Sequence, residues 1–202
     1  MKLYYTPGTC SLASHIVLRE ADLKFDLEKV DLATGKTESG GDIKSVNPNG
    51  YVPVLALDDG ETVTEGPAIV QFLADKAPDK ALAPAAGTLA RTRVQEFLNF
   101  TGTELHKSYT PLFKADTTEA EKDKARAKVS ARLDHVDGLF ADGRAYVMGD
   151  AFTVADAYLF VMATWAGPTG LDIGKWPHVA AFAERVKSRP AVQQALKAEG
   201  LA

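Results

Sequence analysis

The apolar residues of this chain change their spacing once, and the change separates two kinds of fold within 202 residues. In the first part, short β-forming runs alternate with segments of helical period. Residues 2–5 read as a strand that the Pro7-Gly8 pair stops. Residues 11–21 read as a helix with Leu12, Ile16 and Val17 on one side. Residues 25–32 alternate imperfectly against charges, as a strand near a sheet edge does, and residues 34–42 read as a polar loop. Residues 52–57 and 61–64 flank Asp58-Asp59-Gly60, which predicts a hairpin. Gly66-Pro67 then opens a helix through residue 77, with proline where a missing N–H costs nothing. Strand, helix, strand, hairpin and helix imply a small mixed sheet with helices against it.

After residue 77 the strand signals end. The stretch 77–87 holds two prolines and little periodicity, so the linker is placed at 81–86, between domains 1–80 and 87–202. Helices are predicted over 88–107, 118–140, 153–165, 177–187 and 190–199. The helix 153–165 is almost wholly apolar and should be central and buried. The fold class is therefore an α/β N-terminal domain followed by an all-α domain.

Composition removes several functions. A formal net charge of -4 argues against a nucleic-acid binder, which usually carries a basic face. No apolar run approaches the roughly 18 residues that cross a bilayer, and the N-terminus does not read as a signal peptide. The single cysteine, Cys10, excludes an internal disulfide and a cysteine-built zinc site, and no metal is expected. A lone reduced thiol suggests the cytoplasm.

Three stretches carry chemistry. Cys10 stands where the first helix begins, and the unpaired N–H groups and dipole there favour a thiolate; a small buried hydrophobe is the alternative. Val52-Pro53 sits at a strand entry, because proline cannot donate within a sheet. A cis bond there would turn the Val52 N–H and C=O outward to bind an extended peptide; a plain strand entry is the alternative. At Glu65-Gly66, a glycine N–H at a helix start suits a carboxylate and the glutamate suits an ammonium. Together they fit an α-amino acid head group, although each element alone is an ordinary helix cap.

Taken together, Tyr4-Tyr5-Thr6-Pro7-Gly8-Thr9-Cys10-Ser11-Leu12, Asn47-Pro48 with Val52-Pro53-Val54-Leu55, and Thr64-Glu65-Gly66-Pro67-Ala68-Ile69-Val70 resemble the glutathione S-transferase family, its bacterial beta class in particular. The likeness continues through Phe97-Leu98-Asn99-Phe100, Glu104-Leu105-His106-Lys107, the run from Phe152 to Phe160, and the tail from Ala195 to Leu201. It implies a thioredoxin-like N-terminal domain that binds glutathione and a helical domain that contributes the electrophile pocket. Val52 would hold the cysteinyl backbone of glutathione, and Glu65 with the Gly66 N–H its γ-glutamyl end. Lys36 would meet the glycyl carboxylate, and Cys10 would lie against the sulfur, able to form a mixed disulfide with it.

Asn99, Thr103 and His106 fall at i, i+4 and i+7, on one face of one helix. The resemblance turns His106 across the domain cleft toward the sulfur, either as a neutral imidazole accepting a thiol proton or as an imidazolium stabilising the thiolate. His15, His135 and His178 are read as solvated or capped. Thr153-Val154-Ala155-Asp156 is read as a structural capping box. Tyr109, Phe113 and Trp165 are either walls of the electrophile pocket or core. The function implied is conjugation of glutathione to small hydrophobic electrophiles by a homodimeric enzyme. Glutathione-dependent disulfide reduction or peroxidase chemistry, and a non-catalytic carrier of hydrophobic ligands, are the alternatives.

Overall fold

The computed structural model describes residues 1–202, which divide into two compact units, Met1–Ala83 with Arg189–Ala202, and Pro84–Ser188. In the first unit, β1 (Lys2–Tyr5) is central, because alternation buries Leu3 and Tyr5. It pairs in parallel with β2 (Asp26–Asp31), Leu3 opposite Leu27, after the crossover through α1 (Ser11–Glu20). On its other side it pairs antiparallel with β4 (Val54–Ala56), which turns back into β5 (Thr62–Thr64) as the predicted hairpin. A short β3 (Lys36–Thr37) pairs antiparallel with β2, giving the order β3-β2-β1-β4-β5. This strand lies inside the stretch expected to be loop, and it moves β2 one place in from the edge. α2 (Gly66–Lys76) follows β5 and packs on α1. Strand–helix–strand followed by hairpin and helix on one mixed sheet is the thioredoxin-like arrangement.

The second unit is helical. α3 (Leu89–Phe100) starts on the Thr88 side chain, which accepts from the Arg91 N–H. A π-helical turn, Thr101–His106, joins it to α4 (Lys107–Phe113); the sequence predicts an unbroken helix over 88–107 and none beyond it. α5 (Glu119–Phe140) opens on a Thr118–Glu121 capping box and buries Val129, Leu133, Val136 and Phe140 at helical spacing. α6 (Val154–Thr164) is buried along nearly its whole length, as its composition predicts. α7 (Pro177–Lys187) is capped from α5, where Asp137 accepts the N–H groups of His178 and Val179.

The last helix, α8 (Pro190–Ala198), corrects the expected boundary at 202. It packs on α1 and belongs to the first unit, so the second unit ends at Ser188. Arg189, just ahead of it, holds Glu20 of α1 with two nitrogens at 2.6 and 2.8 Å.

Candidate active site

In the first unit, Cys10, Val52 and the Glu65-Gly66 pair gather at one end of β1 and β4. Cys10 is the N-cap residue of α1, and its thiol donates to the Val52 carbonyl at 3.5 Å. The loop before it is tied down locally. The Thr6 N–H donates to the Ser11 hydroxyl, and the Thr9 hydroxyl donates to the Thr6 carbonyl at 2.8 Å.

Val52 precedes a cis peptide bond to Pro53 and lies outside the paired residues of β4. The turn ahead of it is held by buried Asn47, whose side chain donates to the Tyr51 carbonyl and accepts the Asn49 N–H. This is the local bonding that makes asparagine a turn residue. A methyl group built on Gly66 would touch Pro53 Cγ at 3.9 Å, so the start of α2 adjoins the Val52-Pro53 corner.

Glu65 has φ 65°, uncommon for a residue with a side chain. Its carbonyl is taken by the N–H groups of Ala68 and Ile69, while its carboxylate is exposed and makes no ion pair within the chain. The Gly66 N–H is among the first of the helix, which have no partner inside it. An exposed acceptor of negative charge therefore sits beside a donor, held by a backbone conformation of the kind that clusters at functional sites.

Lys36 is elsewhere, in β3 at the sheet edge, exposed and 3.9 Å from Asp42. Lys44 instead lies against the 47–51 turn, where a methyl group on Gly50 would meet its side chain at 3.4 Å. Lys36 and Lys44 are thus two candidate ammonium groups of this unit. Sequence reasoning named only the first.

His15 corrects the expectation of a solvated side chain. It is fully buried, with Nδ1 at 2.8 Å from Glu199 beyond the end of α8, and Nε2 accepting from Arg19. The second Glu199 oxygen accepts the Gly8 N–H at 2.9 Å, two residues before Cys10. His135 and His178 are exposed, as expected.

In the second unit, Asn99 and Thr103 stay together: both are exposed, and the Thr103 hydroxyl donates to the Asn99 carbonyl at 2.9 Å. His106 leaves their face. The π-helical turn is wider than an α-helical one and carries His106 toward α6, half-buried. There its Nδ1 is 2.7 Å from the Tyr158 hydroxyl, and its ring packs edge-on against Trp165 at 5.0 Å. Burial first, then the Lys107 ammonium, push its pKa down to about 4. In the ligand-free chain the imidazole is therefore uncharged at neutral pH.

The aromatic candidates separate. Tyr109 is fully buried core, with its phenol pKa raised by burial. Phe113 is 54% exposed, and both pack edge-on against half-buried Trp165. No helix of the chain is long and apolar enough to cross a membrane.

Comparison with known proteins agrees along the whole chain. The family model described as the glutathione S-transferase N-terminal domain matches residues 8–76, and that of the C-terminal domain matches residues 100–190. Glutathione S-transferase GstA of Escherichia coli O157:H7 is 48% identical, with 100% of both chains covered. A sphingomonad glutathione S-transferase solved in complex with glutathione superposes with a TM-score of 0.96 at 49% identity, covering 100% of both chains. The bacterial beta class enzyme of Sphingomonas chungbukensis gives 0.97 at 48%, again over 100% of both.

Proposed function

The chain belongs to the glutathione S-transferase family and is a transferase, and we propose that it joins the thiol of glutathione to small hydrophobic electrophiles. The observation that carries this reading is the pairing of the exposed Glu65 carboxylate with the Gly66 N–H beside Val52-Pro53. Glu65 takes the α-ammonium and Gly66 the α-carboxylate of the γ-glutamyl end, while the Val52 backbone takes the cysteinyl residue. Lys36 is assigned to the glycyl carboxylate. In the second unit Asn99, Thr103 and His106 are the candidate ligand-facing residues. In the reaction the glutathione thiol loses its proton to solvent, and the thiolate attacks the electrophilic carbon, whose leaving group departs with the bonding electrons.

Glu65→Ala removes a charged hydrogen-bond partner and is expected to weaken glutathione binding by about 1.5–3 kcal/mol, roughly 10- to 150-fold in Kd. Titration calorimetry reads this directly, and an unchanged Kd would overturn the assignment.

The position of the Cys10 thiol, 3.5 Å from the Val52 carbonyl where the cysteinyl residue is assigned, favours a second activity at the same place. The Cys10 thiolate would attack a glutathione-containing disulfide, forming a Cys10–glutathione disulfide and releasing the other half as a thiolate. Glutathione itself would then reduce that mixed disulfide. Cys10→Ala is expected to abolish disulfide reduction while chloronitrobenzene conjugation stays within about threefold. Loss of both together would assign Cys10 to activation of the glutathione sulfur instead. We further read the protein as a cytoplasmic two-fold homodimer, the commonest assembly, which sedimentation equilibrium tests against the 21.6 kDa chain mass.

A further inference from the structure

Four lysines, Lys107, Lys114, Lys124 and Lys128, line one cleft of about 550 Å³ between α4 and α5, inside the second unit. None of their ammonium groups forms an ion pair or hydrogen bond within the chain. Every other lysine or arginine of α5 has a carboxylate. Lys122 holds Glu119 at 2.9 Å, Arg126 holds Asp123 at 2.7 Å, and Arg132 holds Glu104 at 2.8 Å. On the cleft side, Lys124 and Lys128 stand four residues apart on one helix, a spacing at which like charges repel. Lys107 and Lys114 join them from the first residue of α4 and the residue just beyond its end.

Two carboxylates share the cleft without cancelling this charge. Glu121 is drawn to Thr118, accepting its backbone N–H at 2.9 Å and its hydroxyl at 2.7 Å in the capping box. Asp116 makes no ion pair. The cleft therefore keeps an excess of two positive charges on a chain whose net charge is -4.

We propose that this cleft binds a small oligophosphate, with the lysine ammonium groups on its phosphate oxygens and the hydroxyls of Thr110 and Thr117 beside them. No residue assigned to glutathione lines the cleft, so the two sites stand or fall separately.

Three features select the ligand. The cations are all lysines, compact charges that suit phosphate. A planar carboxylate is better met by the two-pronged guanidinium of arginine, and the cleft has none. The charges are also spread out. At 1.5 Å per residue, the backbone positions of Lys107 and Lys114 lie roughly 10 Å apart along their segment, and those of Lys124 and Lys128 about 6 Å. A single phosphate would have to draw all four ammonium groups together, whereas a chain of two or three meets them where they stand. Finally, no aromatic ring lines the cleft to stack a nucleobase, so the phosphate chain carries the recognition.

The test is titration calorimetry of the whole chain with sodium tripolyphosphate, near neutral pH and at low salt. One site per chain is expected, with a Kd at least about tenfold below that of orthophosphate. Lys124→Ala/Lys128→Ala should weaken it by about tenfold or more, and added sodium chloride should weaken it too. Its urea midpoint should match that of the unaltered protein, since both side chains are exposed. Lys24→Ala/Lys29→Ala removes the same charge from exposed positions of the first unit and should leave the Kd unchanged. Adenosine triphosphate separates the sources: tighter binding than tripolyphosphate assigns a nucleotide, and equal or weaker binding a bare phosphate chain. Citrate binding as tightly as tripolyphosphate would overturn the choice of phosphate. The site itself is overturned by the absence of saturable binding, by binding that survives Lys124→Ala/Lys128→Ala, or by equal losses in the two double variants.

Discussion

Replacing Asp156 with alanine is expected to destabilise the helical unit by about 3–5 kcal/mol, the cost of stranding buried donors. The carboxylate is wholly buried and accepts three bonds: the Val147 N–H at 2.7 Å, the Thr153 N–H at 2.7 Å and the Thr153 hydroxyl at 2.9 Å. Burial pushes its pKa up to about 6, and the N–H groups of Val147 and Thr153 pull the other way. It is therefore ionised at neutral pH, where every donor meets a charged acceptor. Alanine leaves two backbone N–H groups without a partner inside the protein and removes one half of the capping box that starts α6. Against a total of about 5–15 kcal/mol for a typical protein, that is a large fraction. Thr153→Val should cost only about 1 kcal/mol, since the carboxylate keeps its backbone donors. Both tryptophans, Trp165 and Trp176, lie in this unit, so their fluorescence during urea unfolding reports it. A midpoint for Asp156→Ala equal to that of the unaltered protein would refute the argument.

What the sequence reveals follows from what is local. The two folding patterns were legible because apolar period depends on residues three or four apart, and the hairpin because Asp58-Asp59-Gly60 punctuates it. Pro53, Glu65 and Gly66 stood out because a proline restricts the backbone at a strand entry and a glycine at a helix start leaves its N–H open to a ligand. β3 was hidden because two residues carry no period. The apolar face of α8, Val192, Ala195 and Leu196, announces a helix without saying what it packs against. The π-helical turn was hidden for another reason: its register depends on the Arg132–Glu104 and His106–Tyr158 contacts, from residues 28 and 52 positions away. The same holds for the loop before Cys10, whose anchor lies near the far end of the chain.

That anchor sets the second large expected effect. Glu199→Ala should cost about 3–5 kcal/mol, because it removes the acceptor of two N–H donors, at roughly 1–3 kcal/mol each. The Glu199 side chain is fully buried, and its two oxygens serve His15 Nδ1 at 2.8 Å and the Gly8 N–H at 2.9 Å. The Arg19 Nε–H donates to His15 Nε2, which places the ring hydrogen on Nδ1, facing the carboxylate. Alanine would remove the acceptor of the buried His15 Nδ1–H and of the part-buried Gly8 N–H. The tail also lies over Gly8: Gly200 turns the chain at φ 73°, the Leu201 N–H returns to the Leu196 carbonyl, and Leu201 reaches within 3.7 Å of where a Gly8 methyl would stand. The loss should therefore be felt at Cys10, two residues on, as faster amide exchange at Gly8 and faster alkylation of the thiol. Glu199→Gln, which keeps one acceptor oxygen, should recover part of the stability. Pairing Glu199→Leu with His15→Leu should cost less than the sum of the two single changes, because the double change leaves neither the carboxylate nor the imidazole buried without the other. Unfolding midpoints that add within about 0.5 kcal/mol would show that the two residues stabilise α1 and α8 independently, and the link from the chain end to the cysteine loop would be lost.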